Sequence, residues 1–365
     1  MKKFLIVLFS IVLALSLTAC GGNDTPATDE GNTGSETKVT KVALLLPYVG
    51  DQSYFDVTYN GLALLEAKYG DAIETKLIEM GTDAASWETA NLQAAEDGYD
   101  IIISGNWQYE GAMLKVAADY PNIKYLNFDY SSVEANALPN VYAITYAANE
   151  IGYLAGVVAA AKTQSHIVGG IGGMENDGIK QFMAGYIQGV TDVNPENKVI
   201  ISYVGDFQDT AKAKEISQNM INKGADVVWG CAGGAGNGNF EAVSENEGVW
   251  AIGVDTDQYV SLSGKPELAN TILTSALKKC DVGVADAVSK MIEGTAEYGT
   301  AHVLGYAEGG VGLAENDYYL ANMTEEELAV VNEWANKVLN GEVKVVDELV
   351  TPGVYDEYLG NYGLK

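Results

Sequence analysis

The sequence predicts an α/β protein built as two doubly wound lobes, and two observations predict it. From Lys41 onward, short and nearly continuous apolar runs alternate with helical patterns, the arrangement of parallel sheets covered by helices on both faces. The runs are too many for one open sheet, and they divide into two similar series around Ala147–Gly152, which two lobes explain best.

In chain order, the first series of strands is predicted at Val42–Leu46, Thr75–Glu79, Ile101–Ser104, Tyr125–Phe128 and Val141–Ala147. The second follows at Ile167–Gly172, Val199–Val204, Val227–Cys231 and Trp250–Val254. Helical spacing of apolar residues marks Asp56–Lys68, Ala84–Ala95, Glu150–Lys162, Ile179–Val190 and Ala211–Asn222 between them. Beyond about Thr300 the pattern weakens. A helix at Glu325–Leu339 follows the capping residue Thr324, and strand fragments at His302–Tyr306 and Val343–Val346 are expected to complete the second lobe.

The N-terminus sets the compartment. Lys2 and Lys3 precede an apolar stretch, Phe4–Leu17, and then Leu17-Thr18-Ala19-Cys20-Gly21. The stretch has the length of a signal peptide and falls short of the ~20 residues a membrane-spanning helix needs. The flank looks like a lipobox, so residues 1–19 are expected to be removed and Cys20 to carry lipid. Residues 20–40 are rich in Gly, Ser, Thr, Asp and Asn and read as a flexible tether. The formal charge is −29 and is spread along the chain, which repels nucleic acid polymers and anionic membrane surfaces alike. Attachment to the membrane therefore falls to the lipid. Of the three cysteines, Cys231 and Cys280 sit in apolar contexts and read as buried thiols.

In doubly wound sheets, ligands bind beyond the carboxyl ends of the strands, beside helix N-termini. Those positions hold Asp51-Gln52-Ser53-Tyr54-Phe55, Gly105-Asn106-Trp107, Asp129-Tyr130, Gly205-Asp206-Phe207, Gly233-Gly234-Ala235-Gly236-Asn237-Gly238 and Asp255-Thr256-Asp257. Aromatic rings stack on flat bases or sugar faces, and ionised Asp accepts hydroxyl hydrogen bonds strongly. Lys278 is placed at a helix start, where the dipole disfavours it, so another task is expected of it. The glycine run from Gly233 lacks the Lys-Ser/Thr of a phosphate-binding loop and misses dinucleotide spacing. The two histidines, His166 and His302, fit no metal-ligand spacing, and no nucleophile elbow or CxxC occurs. The residues are those of recognition, and neither an enzyme, a metal nor a cofactor is expected. Gly152–Gly156 reads as tight helix packing, Phe182 and Gly185 as core, and Asp257 as a turn cap.

Taken in order, these segments resemble the basic membrane protein family of substrate-binding lipoproteins, whose best-understood members are purine nucleoside receptors of ABC transporters. The resemblance is carried by Asp51–Tyr54 leading to Tyr59-Asn60-Gly61-Leu62, by Gly152–Gly156, and by Val168–Met174 with Phe182 and Gly185. It continues through Ala232–Gly238, Ile252–Gln258 and Thr274–Lys278. It implies a type I periplasmic-binding-protein fold, with two lobes joined by a multi-strand hinge and closing around the ligand. Residues 41–147 with about 271–294 would form lobe 1, and 148–270 with about 295–365 lobe 2. It also implies roles: Asp51 on the base edge, Tyr54 stacked on the base, Asp255 with Lys278 on the ribose hydroxyls, and the Gly233-Gly234 amides lining the pocket. Gln52 falls in the same loop, and Asn106, Trp107, Asp129 and Phe207 are added from their strand-end positions. Where the family usually has Asp-Lys-Ser-Phe-Asn, this chain has Asp51-Gln52-Ser53-Tyr54-Phe55. A stacking face is kept, but a donor–acceptor group that could read the base is lost, so pyrimidine nucleosides and related sugars or bases stay open beside purines. The implied function is capture of a nucleoside by a monomeric, lipid-anchored protein on the extracytoplasmic face, for delivery to a permease. The alternative is a tethered nucleoside or sugar sensor for a signalling partner.

Overall fold

A computed structural model describes residues 38–130 and 136–363 of the chain. The leader, Cys20 and most of the tether lie outside them. The chain opens with β1 (Thr40–Leu46), α1 (Tyr54–Tyr69), β2 (Ile73–Glu79), α2 (Ala84–Glu96), β3 (Ile101–Ile103), α3 (Glu110–Asp119), β4 (Lys124–Asn127) and β5 (Val141–Tyr146). It crosses into a second series: α4 (Ala148–Lys162), β6 (Ile167–Gly172), α5 (Asp177–Val193), β7 (Lys198–Tyr203), α6 (Thr210–Asn222), β8 (Val227–Cys231), α7 (Asn237–Ser244), β9 (Trp250–Asp255), the single turns α8 (Gln258–Ser261) and α9 (Pro266–Ala269), and β10 (Ile272–Lys278). The remainder is α10 (Cys280–Glu293), β11 (Thr300–Leu304), β12 (Val311–Leu313), α11 (Asp317–Asn322), α12 (Glu325–Leu339) and α13 (Val354–Tyr362).

Among the described residues the strands form two six-stranded sheets, ordered β11-β5-β4-β3-β1-β2 and β12-β10-β9-β8-β6-β7. Every pairing is parallel except that of β12 with β10 at an edge. Val42–Leu46, Ile101–Ile103 and Val227–Cys231 are buried throughout. That is why they read as continuous apolar runs: helices cover both faces.

Among the described residues three crossings join the lobes: Tyr146 to Ala148, Lys278 to Cys280, and Leu304 to Val311. They are bonded to one another, Ala147 N to Leu304 O at 3.1 Å and Lys279 N to Gly310 O at 2.9 Å. The hinge thus has several strands, as expected, but two segments change lobes. Ile272–Lys278, expected with lobe 1, pairs with β9 in the second sheet, and Thr300–Leu304, expected with lobe 2, pairs with β5 in the first. Only α10 from the 271–294 segment belongs to lobe 1, where it packs on α1. Val343–Val346 forms no strand. Its backbone is taken up by side chains of α4 and α5 instead, Val346 N by Gln188 Oε1 at 2.8 Å and Val345 O by Asn149 Nδ2 at 3.2 Å.

The second lobe is braced by α4 against α5. A Cβ at Gly152 would lie 1.9 Å from Phe182 O, and one at Gly156 2.2 Å from Tyr186 O. On the facing helix, a Cβ at Gly185 would lie 2.0 Å from Asn149 O and one at Gly189 2.2 Å from Tyr153 O. The two helices touch backbone to backbone, as small residues four apart permit.

Candidate functional site: the interlobe cleft

The carboxyl ends of both sheets face a cavity of about 550 Å³ between the lobes, within the size range of small-molecule sites. Its lower rim begins at α1. Asp51, buried, caps that helix: Oδ1 accepts from Ser53 N at 3.0 Å and Asp56 N at 3.1 Å, and Oδ2 from Phe55 N at 2.9 Å. A carboxylate has about four acceptor positions, so Asp51 faces the cavity with one to spare. Burial pushes its carboxyl above the usual range despite these amides. Tyr54 follows. Its hydroxyl donates to Asp129 Oδ2 at 3.0 Å, and its ring lies 6.1 Å from that of Phe128.

Asp129 is the hub of the first lobe's rim. Thr145 Oγ1 donates to its Oδ1 at 2.8 Å, and the Lys278 ammonium forms a buried ion pair with its Oδ2. Lys278 comes from the second sheet, so this pair ties the lobes across the cavity. The lysine is the last residue of β10, not the start of a helix; α10 begins at Cys280. Thr274–Leu277 are themselves strand, and the strand end delivers the ammonium into the cleft. Burial works against its charge, but Asp129 and then Asp255 outweigh it and hold Lys278 above the ordinary lysine value. The ammonium also lies 5.0, 5.3 and 5.7 Å from the ring centroids of Tyr54, Tyr146 and Phe182, within cation–π range.

Asp255 closes β9 in the left-handed region, φ 67°. Ser53 Oγ donates to its Oδ2 at 2.5 Å. Burial pushes its carboxyl up to about 6, with Lys278 and the Ser53 hydroxyl opposing. At the mouth, Trp107 from lobe 1 and Phe207 from lobe 2 face each other, their centroids 6.2 Å apart. Phe207 lies on Gly173, where a Cβ would come within 2.3 Å of the ring. Gly233, at φ 55°, lines the same wall.

Asp51, Tyr54, Trp107, Asp129, Phe207, Gly233, Asp255 and Lys278 therefore converge on one cavity. Gln52, Asn106 and Gly234 stand outside its lining. Gln52, with φ 55°, lines a separate hollow with Asp56, Tyr59 and Thr256. Asn106 is fully buried and turns the chain into α3, its Oδ1 accepting from Gln108 N at 2.8 Å and Tyr109 N at 3.3 Å. Gly234 lies against the Asp51 backbone. Lys278 bonds to Asp129 rather than acting only beside Asp255.

Sequence reasoning missed Phe182, Thr145 and Tyr146 as lining residues. The strand-end rule applied to β5 finds the last two. Phe182 gave no signal distinct from core, because it is both: it is 8% exposed, packs near Trp229 and borders the cavity. Cys231 and Cys280 are free, buried thiols, as expected, and burial pushes both above the ordinary thiol value. His166 is satisfied by Asn197, with Nδ1 2.9 Å from its Oδ1. Asp257 caps α8, accepting from Val260 N at 3.3 Å.

The profile of the Bmp family, described as ABC transporter substrate-binding protein PnrA-like, matches residues 39–348. The chain belongs to this family. Among Bmp relatives, the ABC transporter nucleoside-binding protein BmpA of Lactococcus lactis is 32% identical over 94% of this chain and 99% of its own length. An uncharacterized lipoprotein of Pyrococcus horikoshii is 26% identical over 98% of this chain and 94% of its own. A solute-binding protein of an ABC transporter system from Aeropyrum pernix superposes with a TM-score of 0.74 at 23% identity, covering 89% of this chain and 99% of that one. The two-lobed fold of type I binding proteins is thus common to this Bmp-family chain and to solute-binding proteins of distant sequence. Family membership makes the chain the substrate-binding component of an ABC transporter, a class that works outside the cytoplasm. No helix among its described residues is long and apolar enough to cross a membrane.

Proposed function

We propose that this protein captures a nucleoside in its interlobe cleft and hands it to an ABC permease, as a monomer without catalytic activity held to the extracytoplasmic face of the membrane by lipid on Cys20. The observation that carries this reading is the joining, in one cavity, of aromatic faces with a buried acid–base set. Tyr54, Phe182 and Trp107 supply surfaces for a flat base, while Asp255, Asp129 and Lys278 supply acceptors and a donor for sugar hydroxyls and ring atoms. The name of the Lactococcus relative supports the same ligand class. Purine nucleosides come first among the candidates. Phe55, which is buried against Tyr48 at 4.9 Å, contributes ring surface but no polar group to read the base.

The test is thermal unfolding of the protein with purine and pyrimidine nucleosides, free bases, ribose and common sugars. Ligand at 100 times its Kd adds about 2.7 kcal/mol, so the midpoint rises with a nucleoside and fails to rise in Asp255→Ala. A rise with a sugar alone would keep the fold and remove the nucleoside.

A further inference from the structure

The two lobes are also tied by bonds that involve no side chain of the Lys278–Asp129 pair. Gln258, 1% exposed, is fixed within lobe 2: its Oε1 accepts from Val254 N at 2.8 Å and its own amide donates to Ser275 Oγ at 3.1 Å. Gly253 leaves the room for this, since a Cβ there would come within 2.6 Å of Gln258 Oε1. So held, Gln258 Nε2 reaches into lobe 1 and donates to the Gln52 carbonyl oxygen at 3.0 Å. The second bond runs the other way, from Ser53 Oγ of lobe 1 to Asp255 Oδ2 of lobe 2 at 2.5 Å. Each lobe therefore gives one donor and one acceptor.

The backbone is arranged around these bonds. Among the described residues only three non-glycine residues have positive φ, and two of them are Gln52 at 55° and Asp255 at 67°. Such conformations persist where the surroundings over-determine them, and they gather at clamps and switches. Here they carry the carbonyl and the carboxylate that receive the two cross-lobe bonds. Two adjacent residues of the α1 entry loop meet the β9 exit loop in this way, and lobe opening breaks both bonds together.

We propose that Gln258 and Ser53 are positioning residues that latch the lobes closed and thereby set how fast ligand enters and leaves. Both bonds join protein to protein, so they form independently of the ligand's chemistry. The inference rests on the cleft being the ligand site, and its test separates the two ideas.

The full chain in detergent micelles, as wild type, Ser53→Ala and Gln258→Glu, is followed first by amide hydrogen exchange without added solute. Ser53→Ala removes one bond with almost no change of volume. Gln258→Glu keeps the acceptor for Val254 and sets an acceptor against the Gln52 carbonyl. Exchange is expected to quicken by roughly tenfold, the scale of one lost hydrogen bond, at Asp206–Gln208 and at Asp129–Tyr130, which border the cleft without touching the latch. Quickening confined to residues 50–56 and 253–260, or none, overturns the latch, because a merely local support would loosen only its neighbours. Stopped-flow mixing with adenosine then reads both rate constants. The latch requires association and dissociation to rise together in the variants, whereas lost contact with ligand raises dissociation alone and counts against it. If adenosine fails to bind the wild type, adenosine falls as the ligand while the exchange measurement still decides the latch.

Discussion

Lys278 and Asp129 are each more than nine-tenths buried and face each other across the lobes. Removing one charge of such a pair leaves the other in a low-dielectric site without its partner. Lys278→Met is therefore expected to lower the unfolding free energy by about 3–5 kcal/mol, whereas Lys278→Met with Asp129→Asn recovers most of the loss. Urea denaturation of the two variants checks this. Asp255 makes a prediction with a sign. Burial raises its carboxyl from the ordinary 3.8 to about 6, so the folded chain binds that proton more tightly than the unfolded chain. Stability from this group is gained as pH falls from about 6 towards 3.8 and lost as pH rises, with an amplitude of about 3 kcal/mol. On the proposed function, ligand hydroxyls donate to the ionised form, so affinity is expected to run the opposite way. Kd is expected to rise about tenfold per pH unit below the titration of Asp255, read by calorimetry, and the slope should vanish in Asp255→Asn.

Among the elements, the α4–α5 pair is the least tolerant of change. Its four glycines place each Cα against a facing carbonyl, so even one methyl group has nowhere to go. Gly185→Ala is expected to destabilise by about 3 kcal/mol, the upper part of the range for overpacking, seen as a lowered thermal midpoint. Gly264→Ala, at a site with open space around the Cβ position, should leave the midpoint almost unmoved. The contrast matters for function because α4 begins directly after the first hinge crossing. A shifted α4 moves the second lobe's wall, including Phe182 on α5. The glycines in this segment were legible as packing residues, since small residues at helical spacing have few other uses. Which helix they meet was not legible, because the partner lies more than twenty residues further along the chain.

At the scale of the whole molecule, the two sheets of the described residues hold one set of cavity-lining groups in register through three crossings. The charge of −29 keeps the protein from anionic surfaces, and the lipid proposed on Cys20 would supply its place at the membrane. Cys20→Ala is expected to move the protein from the membrane fraction to the medium or periplasm and to abolish incorporation of labelled palmitate. Retention in the membrane would require another anchor. The lobes meet through Trp107 and Phe207 at the mouth and through Lys278 and Asp129 deeper in. The cavity is thus complete only when both lobes contribute.

The sequence by itself determined most strands and helices of the two lobes, because apolar periodicity and turn residues are local properties that neighbours write into the chain. It also determined the rim: a strand followed by Asp, Trp or Gly marks a carboxyl end, and Asp129, Trp107, Phe207 and Asp255 were found that way. Tertiary structure alone decided which sheet each hinge strand enters. Ile272–Lys278 and Thr300–Leu304 carry patterns that suit either lobe, and only pairing with β9 and β5 distinguishes them. That pairing put Lys278 at a strand end beside Asp129, and side chains of α4 and α5 took up the backbone of Val343–Val346. Long-range hydrogen bonding made these choices, and no local pattern encodes the partner of a bond.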